Sequence, residues 1–157
     1  MYAPLTAPTR SCQAGCALSE DLIPLLVSHL SSPQRDTRGA AAAALADALR
    51  QQPQQTSATL AAVVALYGAE ADEDADEDSA HAVRAALLLD EGERAARAAA
   101  ADQLAATRAG VAAGLEALAG VLGPADVQDA LHFLVNRGLA EPVDATREAM
   151  VAAGARV

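Results

Sequence analysis

The sequence contains no lysine and no tryptophan, and its three aromatic residues, Tyr2, Tyr67 and Phe133, stand far apart. Stacking nucleobases takes several aromatic faces within reach of one another, so a single-strand binding platform is excluded. All eleven basic residues are arginine against 21 acids, a formal net charge of -10, which argues against a polybasic surface for membranes or bulk nucleic acid. Six of those 21 acids crowd between Asp72 and Asp78, leaving 15 against 11 arginines elsewhere, so a local arginine contact stays compatible with the composition. The two cysteines, Cys12 and Cys16, have no second pair and only His29 as a nearby imidazole; short of four zinc ligands, they read as free thiols. The alanine-rich stretch Ala40 to Leu49 carries Asp47 and is too short to span a bilayer. No phosphate-binding loop, dinucleotide glycine motif or HExxH occurs, and His132 has no motif-placed partner, so no catalytic, cofactor or metal residue is assigned and no enzyme is expected. The first residues lack the basic start and apolar run of a signal peptide, and the acid-poor opening, with Arg10 its one base, only weakly resembles a transit peptide; the expected location is cytoplasmic.

What the chain has in quantity is Ala, Leu and Val at helical spacing, with 52% hydrophobic residues and 2% aromatic. In the stretch Thr107 to Met150, Leu115, Leu118 and Leu122 mark one helix, and Gly123-Pro124 ends it and starts the next. Val127, Leu131, Leu134 and Val135 give that next helix an inner face, and Gly138 suits a left-handed C-cap. The pattern recurs near the start without a gap: Leu22 aligns with Leu131, Leu25 with Leu134, Leu26 with Val135, Leu30 with Leu139, Pro33 with Pro142, Thr37 with Thr146 and Arg38 with Arg147. Arg108, in a further Thr-Arg pair, stands 70 residues after Arg38 and 39 before Arg147, the latter close to the two-helix HEAT period. The expectation is an all-α, HEAT-like α-solenoid of antiparallel helix pairs, three to four repeats long.

In chain order, residues 1–18 read as a flexible lead and 19–157 as repeats interrupted by an acidic loop at about 70–79. A first helix, begun at Ser19-Glu20-Asp21, carries Leu22, Leu25, Leu26, Val27 and Leu30 inward, with Pro24 in its first turn. A second starts at an Asp36 N-cap and runs to about Gln51; its face is alanine with Leu45 and Leu49, so Ala41, Ala42 and Ala44 tolerate little enlargement. A third, Thr56 to about Ala69, buries Leu60, Val63, Val64 and Tyr67, the phenol hydroxyl reaching the surface. The run Asp72 to Asp78 matches a calcium loop at Asp72, Asp74 and Asp76 but places Glu77 at the required glycine and Val83 at the required glutamate, so it reads as a disordered, solvated segment. A short helix His81 to Leu89 follows, ended by Asp90-Glu91-Gly92; from Glu93 to Leu122 no proline intervenes, which allows one rod of about 45 Å, with Gly110 and Gly114 permitting close helix contacts.

The order LAAVVALYGAEA, TRAGVAAGLEALAGVLGPADVQ and FLVNRGLAEPVDATREAMVAAGARV resembles one segment of a family of very large HEAT proteins, the general control non-derepressible translational activators, which stimulate the kinase of eukaryotic initiation factor 2. The similar segment precedes that family's elongation factor 3-like region and covers roughly two thirds of this chain. Its helix with a late Tyr is Leu60 to Tyr67, its Ala-Arg helix Thr107 to Leu122, and its Phe helix with the following Asp-Pro and Asp-Val-Arg is Phe133 to Met150, where Glu141-Pro142 and Ala145-Thr146-Arg147 replace the usual residues. The acidic, Ala-rich insert departs from the family.

The resemblance implies a non-enzymatic scaffold in the response to amino-acid starvation, with the ribosome and neighbouring HEAT repeats as partners. The kinase-recruiting region lies well beyond this segment, so no kinase contact is expected here, nor any membrane or sequence-specific nucleic acid. Arg94, Arg97 and Arg108 are the candidate interaction surface toward ribosomal RNA; the competing reading is a solvated helix face neutralised by Glu91, Glu93 and Asp102. Arg38, Arg108 and Arg147 are the structural arginines of the repeats, with Arg38 expected to pair with an acid such as Asp36. The alternative function is a generic HEAT or armadillo-type scaffold for transport or the cytoskeleton, although the turns Ser31 to Arg35 and Ala140 to Val143 lack the Trp and Lys that tubulin-binding arrays present.

Overall fold

Alanine, leucine and valine spaced for helices give helices throughout the computed structural model, which describes residues 22–68 and 90–157. Six α-helices and no strand occur among these residues: α1 Leu22–His29, α2 Arg35–Gln51, α3 Thr56–Gly68, α4 Glu91–Leu118, α5 Pro124–Phe133 and α6 Asp144–Gly154. A 3₁₀ turn, Pro53–Gln55, leads into α3, and a π-turn, Leu134–Gly138, extends α5. Helix α1 packs on α2 and α3, and α3 on α5, while α4 lies between α2 and α6. Two layers result, α1-α3-α5 and α2-α4-α6, three helix pairs of an all-α solenoid. The expected lead at 1–18, the acidic loop at about 70–79 and the helix His81 to Leu89 fall on residues outside those described.

Helix α4 holds the layers together, and its glycines set how closely. A Cβ on Gly110 would stand 1.8 Å from the Leu30 carbonyl oxygen, and one on Gly114 would stand 3.1 Å from Leu30 Cδ1. Only at Gly110 is a side chain flatly excluded, and this lets the end of α1 rest directly on the α4 backbone. Around that contact the core forms from Leu30, Leu45, Leu49, Val63, Val111, Leu115 and Leu118, all buried. The 28-residue α4 is about 42 Å long at 1.5 Å per residue, close to the expected rod. It starts earlier and ends earlier than expected. Asp90 is its N-cap, accepting from Glu93 N while Glu93 accepts from Asp90 N, so the stretch read as a stop signal is a capping box that starts a helix.

Several expectations about facing are corrected. Leu131 is 40% exposed, Val135 62% and Leu25 54%; Leu26 is half-buried. Ala130 and Phe133 form the inner face of α5, continued by Leu134, which is buried as expected. The buried stripe is the expected one set back by one residue: Ala130, Leu134 and Gly138 follow at intervals of four, which turns Leu131 and Val135 outward. Gly138 has no left-handed backbone, since no described residue has positive φ. Its lack of a side chain serves packing: a Cβ there would stand 3.2 Å from Met150 Cβ. Asp36 lies in the first turn of α2, whose N-cap is Gln34 without a side-chain bond. Ala41 and Ala42 are buried, but Ala44 is exposed and free to be enlarged.

Candidate interaction surface

Arg38 and Arg147 occupy equivalent positions and make equivalent bonds. Arg38 Nη1 donates to the carbonyls of Ser32 (2.7 Å) and Pro33 (2.9 Å), and Arg147 Nη1 to the carbonyl of Glu141 (2.9 Å). Each guanidinium satisfies a carbonyl six residues earlier, so each ties the turn before its helix to the helix itself. Arg38 therefore does its structural work on backbone oxygens and makes no ion pair with Asp36; Arg147 adds a pair with the exposed Asp144.

Arg108 has a different post. Its Nη1 lies 3.0 Å from Glu141 Oε1, its guanidinium carbon 5.1 Å from the centroid of the Tyr67 ring, and its Nε is buried without a partner. Glu141 is 1% exposed, a carboxylate taken out of water in the α5–α6 turn. Its charge is met by Arg108, by the Tyr67 hydroxyl donating to Oε2 at 2.6 Å, and by Val143 N at 3.3 Å. Tyr67 packs edge-on to Phe133, centroids 5.2 Å apart. Burial, reinforced by the bond to Glu141, raises the Tyr67 phenol to about 12. The hydroxyl is inside, not at the surface as expected. Helices α3 and α4 thus clasp the following turn, and α4 clasps the preceding one through Gln103 Nε2 donating to Ser31 O at 2.7 Å.

The expected arginine surface is thereby divided. Arg94 and Arg97 stand on residues 91–102 of α4, every one of them exposed. Neither forms an ion pair among the described residues; Glu93 is engaged at the N-cap, and Arg94 Nε only reaches Asp90 O at 3.4 Å. Arg108, three turns further on, faces Glu141 and Tyr67 and is largely covered, so the structure does not bring it together with the other two. Sequence reasoning missed Glu141 and Gln103. Glu141 lies 74 residues from Tyr67 and 33 from Arg108, and the one available signal was a carboxylate aligned with Ser32 in the turn register. A second candidate surface lies on the α2-α4-α6 layer, a groove of about 650 Å³ floored by Gly39, Ala109, Ala112 and Ala113 with Arg35 and Glu116 at its rim. No helix among the described residues is long and apolar enough to cross a membrane.

The family model described as "Stalled ribosome sensor GCN1, HEAT repeats" matches residues 12–157, the family to which the order of helical motifs pointed. No curated protein and no solved structure matches the chain.

Proposed function

We propose that this chain, which belongs to the family of HEAT repeats of the stalled ribosome sensor GCN1, acts as a non-catalytic scaffold that associates with the ribosome through the projecting part of α4. The observation carrying this reading is the row of exposed residues 91–102, where Arg94 and Arg97 make no ion pair among the described residues, on a helix anchored at its far end by Gly110 and Gly114. A rigid rod whose base is packed and whose tip is bare presents its guanidinium groups with little ordering cost, and arginine is the side chain best shaped for phosphate oxygens. A contact made by so few cations on an acidic chain is local and adds to contacts made elsewhere in an array. The expected setting is the cytoplasm, in the coupling of amino-acid shortage to the initiation factor 2 kinase; the segment itself supplies ribosome association and solenoid structure, and not kinase activation.

Co-sedimentation with purified ribosomes tests this directly. The double variant Arg94→Glu, Arg97→Glu is expected to sediment less with ribosomes than the wild type at equal helicity. Equal sedimentation of both would remove the two arginines from the interface, and a wild-type chain that stays in the supernatant would overturn ribosome association by this segment.

A further inference from the structure

Of the seven prolines only Pro33 follows a hydroxyl residue, so Ser32-Pro33 is the one Ser-Pro or Thr-Pro pair in the sequence, and Arg35 stands three residues after the serine. The pair lies in the α1–α2 turn, whose backbone is bound by neighbouring helices: Gln103 Nε2 donates to the carbonyl of Ser31 at 2.7 Å, and Arg38 Nη1 to those of Ser32 at 2.7 Å and Pro33 at 2.9 Å. The Ser32 hydroxyl is left at the surface, donating to Gln34 Oε1 at 3.1 Å and accepting from Gln34 N at 3.3 Å, both exposed bonds within the turn. Pro33 to Asp36 are exposed as well, and Arg35 makes no ion pair among the described residues. In the turn register Ser32 aligns with Glu141, whose carbonyl Arg147 holds as Arg38 holds that of Ser32. The third helix pair therefore carries a negative charge met by an arginine where the first carries a hydroxyl.

From this we infer that Ser32 is a phosphorylation site for a proline-directed protein kinase, and that its phosphate is held by Arg35 at the start of α2. Such a kinase selects proline after the acceptor with a pocket that offers no partner to a backbone N–H, the group proline lacks, and a basic residue three positions after the serine adds recognition by charge. The residue before a proline is held extended, the conformation in which a kinase cleft takes its acceptor. In the transfer Ser32 Oγ attacks the γ-phosphorus of ATP, the Oγ–P bond forms as the bond from that phosphorus to the bridging oxygen of ADP breaks, and the hydroxyl proton leaves through the kinase's catalytic carboxylate. The products are the Ser32 phosphate ester, ADP and a proton. The ester brings a charge of about -1.5 to -2 at neutral pH and three acceptor oxygens. These take over the bond from Gln34 N that the hydroxyl now accepts, and Arg35 neutralises the charge. Gln34, the N-cap of α2, makes no side-chain bond to the first turn, so an anion there also meets the positive end of a 17-residue helix. Asp36, in that first turn, opposes it in part. The inference is independent of the ribosomal reading, and ribosomes have no part in its test.

The full chain, incubated with a cyclin-dependent kinase, its cyclin and MgATP, is expected to gain one phosphate, placed on Ser32 by fragmentation mass spectrometry, with an initial rate about tenfold lower in Pro33→Ala. Pro33 is exposed, so its variant is expected to keep wild-type helicity; should it lose helicity, Arg35→Ala takes its place, with transfer about threefold slower. Phosphate on Ser31 or another residue in place of Ser32, an unchanged rate in the variant, or transfer to a synthetic peptide of residues 28–39 but not to the folded chain would overturn the site. The phosphorylated wild type is expected to melt about 2 °C above the unmodified chain, and phosphorylated Arg35→Ala no higher than its own unmodified form. An equal rise in both, or none in either, would overturn the part given to Arg35.

Discussion

At the scale of single residues, Tyr67 and Leu131 carry opposite lessons. Tyr67 was legible as core from its place at helical spacing with Leu60 and Val63, but its hydroxyl partner was not, since nothing local ties residue 67 to residue 141. The consequence is measurable in alkali. The phenol is held at about 12 against an ordinary value near 10, so the folded state favours the protonated form. Its contribution is complete below about pH 10 and is lost as the pH rises toward 12, on the order of 2 kcal/mol at most. Denaturant unfolding as a function of pH should show that loss in the wild type and a smaller one in Tyr67→Phe; parallel curves would refute the assignment. Leu131 was placed inside by a stripe set one residue too far along the helix, where Ala130 is the residue that faces in. At 40% exposure, Leu131→Ala should cost under about 1 kcal/mol, whereas Leu134→Ala, at a buried position beside Met150, should cost about 2 to 5 kcal/mol. Equal losses in chemical unfolding would restore the original stripe.

At the scale of elements, helix existence and order were readable because alanine and leucine periodicity runs unbroken, while helix boundaries and rotations depended on contacts between distant segments. Asp90 illustrates the first difficulty: Asp-Glu-Gly reads as a stop by composition and as a capping box once Glu93 folds back. Gly110 illustrates a part the sequence did disclose. Gly110 and Gly114, one turn apart in an alanine-rich rod, signalled close approach, and α4 rests on the α1–α2 turn there. Replacing Gly110 with alanine sets two effects against each other. Helix propensity gains about 1 kcal/mol, but a Cβ placed 1.8 Å from a backbone oxygen forces α1 and α4 apart across the buried Leu30, and overpacking of this kind costs about 1 to 3 kcal/mol or more. The obstacle is backbone, which cannot rotate out of the way, so the net effect should be destabilising. A thermal midpoint raised by Gly110→Ala would refute the packing described for α4.

At the scale of the whole molecule, charge sets the limit on what any ribosome contact can be. With 21 acids against 11 arginines, and with Arg38, Arg108, Arg147, Arg50 and Arg156 already engaged in hydrogen bonds or ion pairs, Arg35, Arg94, Arg97 and Arg137 are the arginines among the described residues left to displace counterions from phosphate, and the proposed interface uses two of them. Each phosphate neutralised contributes slightly less than one unit to the slope of log affinity against log salt. Arg94 and Arg97 together therefore predict a shallow slope, about -1 to -2 in magnitude and sign, where a polybasic domain with six or more contacts would show a far steeper one. Sedimentation with ribosomes over a series of salt concentrations measures it. The charge-reversed pair Arg94→Glu, Arg97→Glu should flatten the slope toward zero. A steep slope in the wild type would mean that cations other than these two, such as the exposed Arg35 and Arg137, also reach phosphate, and would refute an interface confined to the projecting part of α4.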